Sequence, residues 1–149
     1  MRAIGSELTG QCSAMNATTG LWVRRLTIGA IASFLLVASI GPKLVGAQVA
    51  TESLASLGWP AGWATYLGLL ELACLVLFLV PRTRLLGALV MTAFLGGTVA
   101  THLRVGNPML SHTLFGVYLG ALMWGAVLIE EPALRRLLPL RPRRGRDSA

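Results

Sequence analysis

Polar surface is what this chain lacks. Charged residues make up 13% of its 149 positions and aromatic residues 7%, whereas 54% are hydrophobic and the mean hydropathy is +0.68. Too little polar side chain remains to coat a soluble domain of this length, so composition assigns a membrane class. Cysteine is nearly absent. Cys12 and Cys74 form no CxxC pair and Cys74 lies in an apolar run, which excludes a disulfide framework or a dithiol shuttle. No c-type attachment motif is present, and haem is disfavoured as a cofactor. Acids are scarce too, six against thirteen Lys and Arg, for a net charge of +7. The arginines flank apolar runs and do not interleave with aromatics on a polar face. Anionic membrane lipid, not nucleic acid, is the expected partner.

What is present is a series of long apolar runs. They predict an all-α fold, a four-transmembrane-helix bundle with spans at about 21–41, 62–80, 85–103 and 111–129. Soluble core helices would need polar outer faces, and these segments are apolar all round. Gly41 and Pro42 end the first run, Pro81 closes the second, and Pro132 follows the fourth. The domain plan is a disordered cytoplasmic tail at 1–20, a membrane domain at 21–139 and a basic cytoplasmic tail at 140–149. Between the first two spans, Ala47, Ala50, Leu54 and Leu57 recur at helical spacing opposite Gln48, Thr51, Glu52 and Ser53, predicting a short interfacial helix in the first outer loop. Trp59 and Trp63 follow, where an aromatic belt is expected.

Counting Lys and Arg by loop orients the bundle. With both termini inside, eleven arginines face the cytoplasm and only Lys43 and Arg104 face outward, a strong positive-inside signal that also demands an even number of spans. A competing reading makes Arg24, Arg25 and the first run a signal peptide cleaved after Val45-Gly46-Ala47. Three further spans and a long polar lead favour retention of the first span.

Glu71 is the most informative residue. It falls mid-span, where an ionised side chain costs on the order of 3 kcal/mol, so it must be neutral, paired or facing a wet cavity. Gly68 and Cys74 lie three residues to either side, placing Glu71 on the small-residue face that packs inward. Ser33, Thr92 and Tyr118, at similar depth, offer hydroxyl partners; such an interhelical tie stands beside a proton or ligand site as a reading of Glu71. A second group gathers at the outer surface: Lys43, His102, Arg104 and His112. A vestibule from this cationic rim down to Glu71 would suit proton exchange by Glu71 and His102, and the cations a quinone oxygen, an oxyanion or a lipid phosphate. Snorkelling interface residues are the plainer account of Lys43 and Arg104. Gly116 and Gly120 in the last run, like Thr92, Gly96 and Ala100 in the third, permit close helix contact within the bundle.

Taken in order, Gly41-Pro42-Lys43-Leu44, Leu57-Gly58-Trp59-Pro60, Leu67-Gly68 through Glu71-Leu72, Val80-Pro81-Arg82, Leu86-Gly87 and His102-Leu103-Arg104-Val105-Gly106 resemble the DoxX-like family, from about Ile28 to Pro139. The resemblance implies a four-helix integral protein of the bacterial cytoplasmic (inner) membrane, with some relatives linked to quinone-coupled sulfur oxidation or oxidative-stress complexes and most without an assigned reaction. The family's recurring polar positions map onto Lys43, Glu71, His102 and Arg104. The expected function is therefore a membrane subunit of a redox system, with redox partner subunits, holding a quinone or similar small apolar ligand near Gly68, Lys43, Arg104, His112 and Tyr118. If enzymatic at all, it would be at most a subunit of a quinone-linked oxidoreductase. A non-enzymatic scaffold or small-solute carrier is the alternative.

Overall fold

A computed structural model describes residues 2–60, 62–130 and 134; for 2–18, 111 and 112 it describes the backbone alone. The described chain is helical, with no strand among the described residues. Helix α1 (Arg2–Leu35) runs through a π-helical turn, Leu36–Ile40, into a single helical turn, α2 (Gly41–Leu44). A short α3 (Gln48–Ser56) occupies the position of the expected loop helix. It is followed by α4 (Trp63–Leu79), α5 (Arg84–Arg104) and α6 (Phe115–Glu130), the last preceded by a second π turn, Met109–Thr113. The basic tail at 140–149 lies outside the described residues.

Two expectations about α1 need correction. Residues 2–20, expected to be an unstructured tail, continue the helix, since no proline interrupts them and extending an already packed helix requires no new nucleus. At the other end Gly41 and Pro42 do not stop the chain, and helix persists to Leu44. Proline lacks an N–H and its ring clashes with the carbonyl four residues back in a regular helix. The π turn relieves this: the Gly41 N–H reaches Leu36 O, five residues back, and Pro42 begins a fresh turn. A Cβ on residue 41 would lie 2.8 Å from Leu36 O, so only glycine fits there.

The helices close a ring, α4 against α5, α5 against α6, α6 against α1, and α2 against α4. Leu35, Ile40, Leu75, Phe78, Met91 and Met123 fill its centre. Glycines set the closest approaches. At Gly87 a Cβ would lie 2.2 Å from the Phe78 backbone nitrogen, and at Gly116 3.3 Å from Leu95 O, so Gly116 packs inside the bundle as expected. Gly96 meets nothing within 4 Å. The proline-containing connection after α4 is held by side chains. Leu77 O cannot receive the missing N–H of Pro81 and accepts instead from Thr83 Oγ1 at 2.9 Å. Arg84 donates to Phe78 O at 3.1 Å and Leu79 O at 3.2 Å.

The outside of the ring is apolar. Leu26, Val37, Val49, Tyr66, Leu86 and Leu110 are among many exposed large hydrophobic side chains. Thr19–Leu44 and Arg84–Arg104 are long and apolar enough to cross a membrane, and Trp63–Leu79 and Phe115–Glu130 are shorter apolar helices. Only 22% of each long segment's apolar window is buried, whereas a soluble core helix would be mostly covered.

Candidate functional site

Charge divides between the two ends of the ring. At one end Glu130 of α6 pairs with Arg24 of α1 at 3.2 Å and with Arg84 of α5, which is itself buried. At the other end lie Lys43, His102 and Arg104, together with α3.

Glu71 is 2% exposed, and the structure resolves its burial by pairing. Lys43 Nζ lies 2.6 Å from Glu71 Oε2, and Ser39 Oγ donates to the same oxygen at 2.9 Å while accepting from Lys43 at 2.7 Å. Three groups from two segments thus close a compact polar knot in an apolar surround. The Phe94 ring lies 5.9 Å from the ammonium. The extra helical turn makes this possible: with the chain still helical at α2, Ser39 and Lys43 share one face four residues apart and both point at α4. Gly68, one turn before Glu71, is where α2 presses on α4; a Cβ there would sit 2.9 Å from Lys43 Cβ.

Lys43 also borders an apolar cavity of about 730 Å³ between α2, α3 and α5. Ser39, Leu54, Trp59, Phe94 and His102 line it with Lys43. The volume is in the range of small-molecule sites, with a few polar groups set in an apolar wall. His102 Nδ1 contacts Asn107 Nδ2 at 2.8 Å; with the amide donating, the ring proton sits on Nε2. Arg104 lies apart. Its guanidinium donates to Leu57 O at 2.7 Å, and a Cβ at Gly58 would meet it at 3.0 Å, so Arg104 clamps the end of α3 to α5. It borders a separate cavity of about 430 Å³ with Gly58, Pro60 and Ala100.

The expected residues are therefore sorted, not gathered as one vestibule. Lys43 and His102 share a cavity, and Glu71 joins through Lys43. Lys43 is not a snorkelling rim residue, since its side chain is 17% exposed and turned inward. Gly68 supports the knot from behind and is not among the residues lining the cavity. Tyr118 is 49% exposed and also does not line it, and Ser33 faces outward; Ser39 takes the place expected of them. Thr92 is occupied elsewhere, donating to Ala88 O and accepting from Trp124 Nε1 at 3.0 Å. The side chain of His112 lies outside the described residues. Ser39 and Phe94 were missed; the i,i+4 spacing of Ser39 and Lys43 would have signalled the first had helix been carried through Pro42.

The DoxX-like family model matches residues 26–126, ending short of Pro139. The chain belongs to the DoxX-like family. With its apolar helices, this membership makes it a membrane protein. No curated protein and no solved structure matches the chain. The matched segment holds the Lys43, Ser39 and Glu71 knot, the large cavity and Arg104, and excludes Glu130.

Proposed function

We propose that this DoxX-like protein crosses the bacterial inner membrane four times with both termini in the cytoplasm, and binds a small apolar ligand in the cavity beside Lys43 as a membrane subunit or accessory of a quinone-linked or oxidative-stress redox system. The observation that carries this reading is the coincidence of a ligand-sized apolar cavity with a buried charged knot and a histidine on its wall. A protein that needed only a packed bundle would fill that volume and dispense with a charge pair whose desolvation cost a hydrophobic replacement would avoid. A quinone suits the chemistry of the site: Trp59 and Phe94 put aromatic surface on the wall, and a carbonyl oxygen could accept from Lys43. Glu71, paired through Lys43, and His102 are the proposed groups for proton exchange with a reduced ligand.

Retention of the first span belongs to the same proposal. Cleavage after Ala47 would remove Lys43 and Ser39 and leave Glu71 buried alone. The reading is tested by purifying the protein in mild detergent with its neighbouring gene products and extracting bound lipids for mass spectrometry and quinone-dependent turnover. Stoichiometric quinone that is lost in Lys43→Met is the expected result; absence of both quinone and turnover would leave the non-enzymatic scaffold or carrier in its place.

A further inference from the structure

Resting on the reading of the cavity as a ligand site, we infer that it selects uncharged amphiphiles with an oxygen acceptor and rejects carboxylates of the same shape, and that Glu71 sets this preference. The cavity wall is apolar apart from a few groups, and Lys43, the one lysine or arginine on it among the described residues, is already neutralised by Glu71 at 2.6 Å. An entering carboxylate would place a second anion on a single ammonium, with like charges meeting beside a largely apolar wall that screens them less than water does. It would also surrender its own hydration without gaining a free cation. A ketone, quinone or ester oxygen meets no such opposition. An ammonium carries three N–H donors. Ser39 Oγ and Glu71 Oε2 take two of those of Lys43, and among the described residues no protein acceptor is assigned to the third. Lys43 lines the cavity, so that donor is available to a ligand oxygen.

The selectivity is therefore electrostatic, not steric, and it is exercised by a residue that does not itself border the cavity. Removing the Glu71 charge while keeping its shape leaves Lys43 without its anion, so that an entering carboxylate becomes the partner that keeps the ammonium charged.

The test uses two radiolabelled probes with a common alkyl tail, tridecan-2-one and dodecanoate, which differ by a methyl group in place of an ionised oxygen. Saturable binding to the full-length protein in nanodiscs is measured at pH 8.5, with empty nanodiscs as the baseline. Wild type should bind the ketone at least roughly ten-fold tighter than the carboxylate. In Glu71→Gln the order should invert. If Glu71→Gln does not assemble, the double variant Lys43→Met/Glu71→Gln replaces it; there ketone affinity should fall while dodecanoate stays weak, because donor and cation are both gone. Tighter dodecanoate binding by wild type, or an unchanged ratio in Glu71→Gln, overturns the inference while leaving a ligand site. Saturable binding of neither probe overturns the ligand-site reading itself.

Discussion

At the scale of single residues, the Lys43 and Glu71 pair dominates, because each partner is expensive without the other. Breaking a buried pair from one side costs about 3–5 kcal/mol, whereas replacing both partners with apolar residues of similar volume is near neutral. Lys43→Met alone should therefore lower stability to denaturant titration in detergent by about 3 kcal/mol or more, and Lys43→Met/Glu71→Leu should recover most of it. If the double variant is as unstable as the single one, the two residues are not energetically coupled. Gly68 belongs to the same argument. Its absent Cβ leaves room for the Lys43 stem, 2.9 Å away, so Gly68→Ala must push α2 from α4 and lengthen the ion pair. An overpacking cost of about 1–3 kcal/mol is expected, with reduced ligand occupancy as the second readout.

At the scale of elements, irregular helix does the positioning. The π turn at Leu36–Ile40 lets α1 pass through Pro42 and deliver Ser39 and Lys43 to the bundle interior. At the opposite end Arg24, Arg84 and Glu130 fasten α1 and α5 to the last turn of α6. Glu130→Ala would strand the buried guanidinium of Arg84, at a cost of about 2–3 kcal/mol, below the fully buried limit because Glu130 is 20% exposed. Thermal unfolding in detergent checks this, and Glu130→Gln, which keeps an acceptor, should lose less. The α4–α5 connection is less forgiving. A Cβ at residue 87 meets backbone, not a flexible side chain, at 2.2 Å, so Gly87→Ala should impair assembly more severely than Gly68→Ala.

At the scale of the whole molecule, the two charged ends invite a test of sidedness. With Cys12 and Cys74 replaced, single cysteines at Glu52 and Asn107 should react with an impermeant maleimide in intact cells, while one at Thr83 should react only after lysis. The positive-inside asymmetry of eleven to two predicts this outcome. Labelling of Thr83 in intact cells would reverse the orientation and place the cavity on the cytoplasmic side.

What the sequence determined by itself was whatever depends on local composition and order. Continuous apolar runs specify helices, since an apolar environment offers a backbone no hydrogen-bond partner but its own. The runs at Trp63–Leu79 and Arg84–Arg104 were therefore legible to within one residue at each end, as was the amphipathic spacing of α3, whereas the last run was legible in place but its regular helix begins only at Phe115, after the π turn. Glu71 stood out because one acid in an apolar run demands compensation, and the short blocks around Lys43, Glu71 and His102 were enough to point to the family. Tertiary structure alone decided how that demand is met. Gly41-Pro42 signals a stop when only local propensity is weighed, but a π turn absorbs the proline once α4 offers Gly68 to pack against. That choice moved Lys43 from the rim to the interior, made Ser39 rather than Tyr118 the hydroxyl partner, and left Arg104 to clamp the loop. The reach of a flexible lysine across two helices is a property of their packing distance, which no spacing along one chain segment encodes.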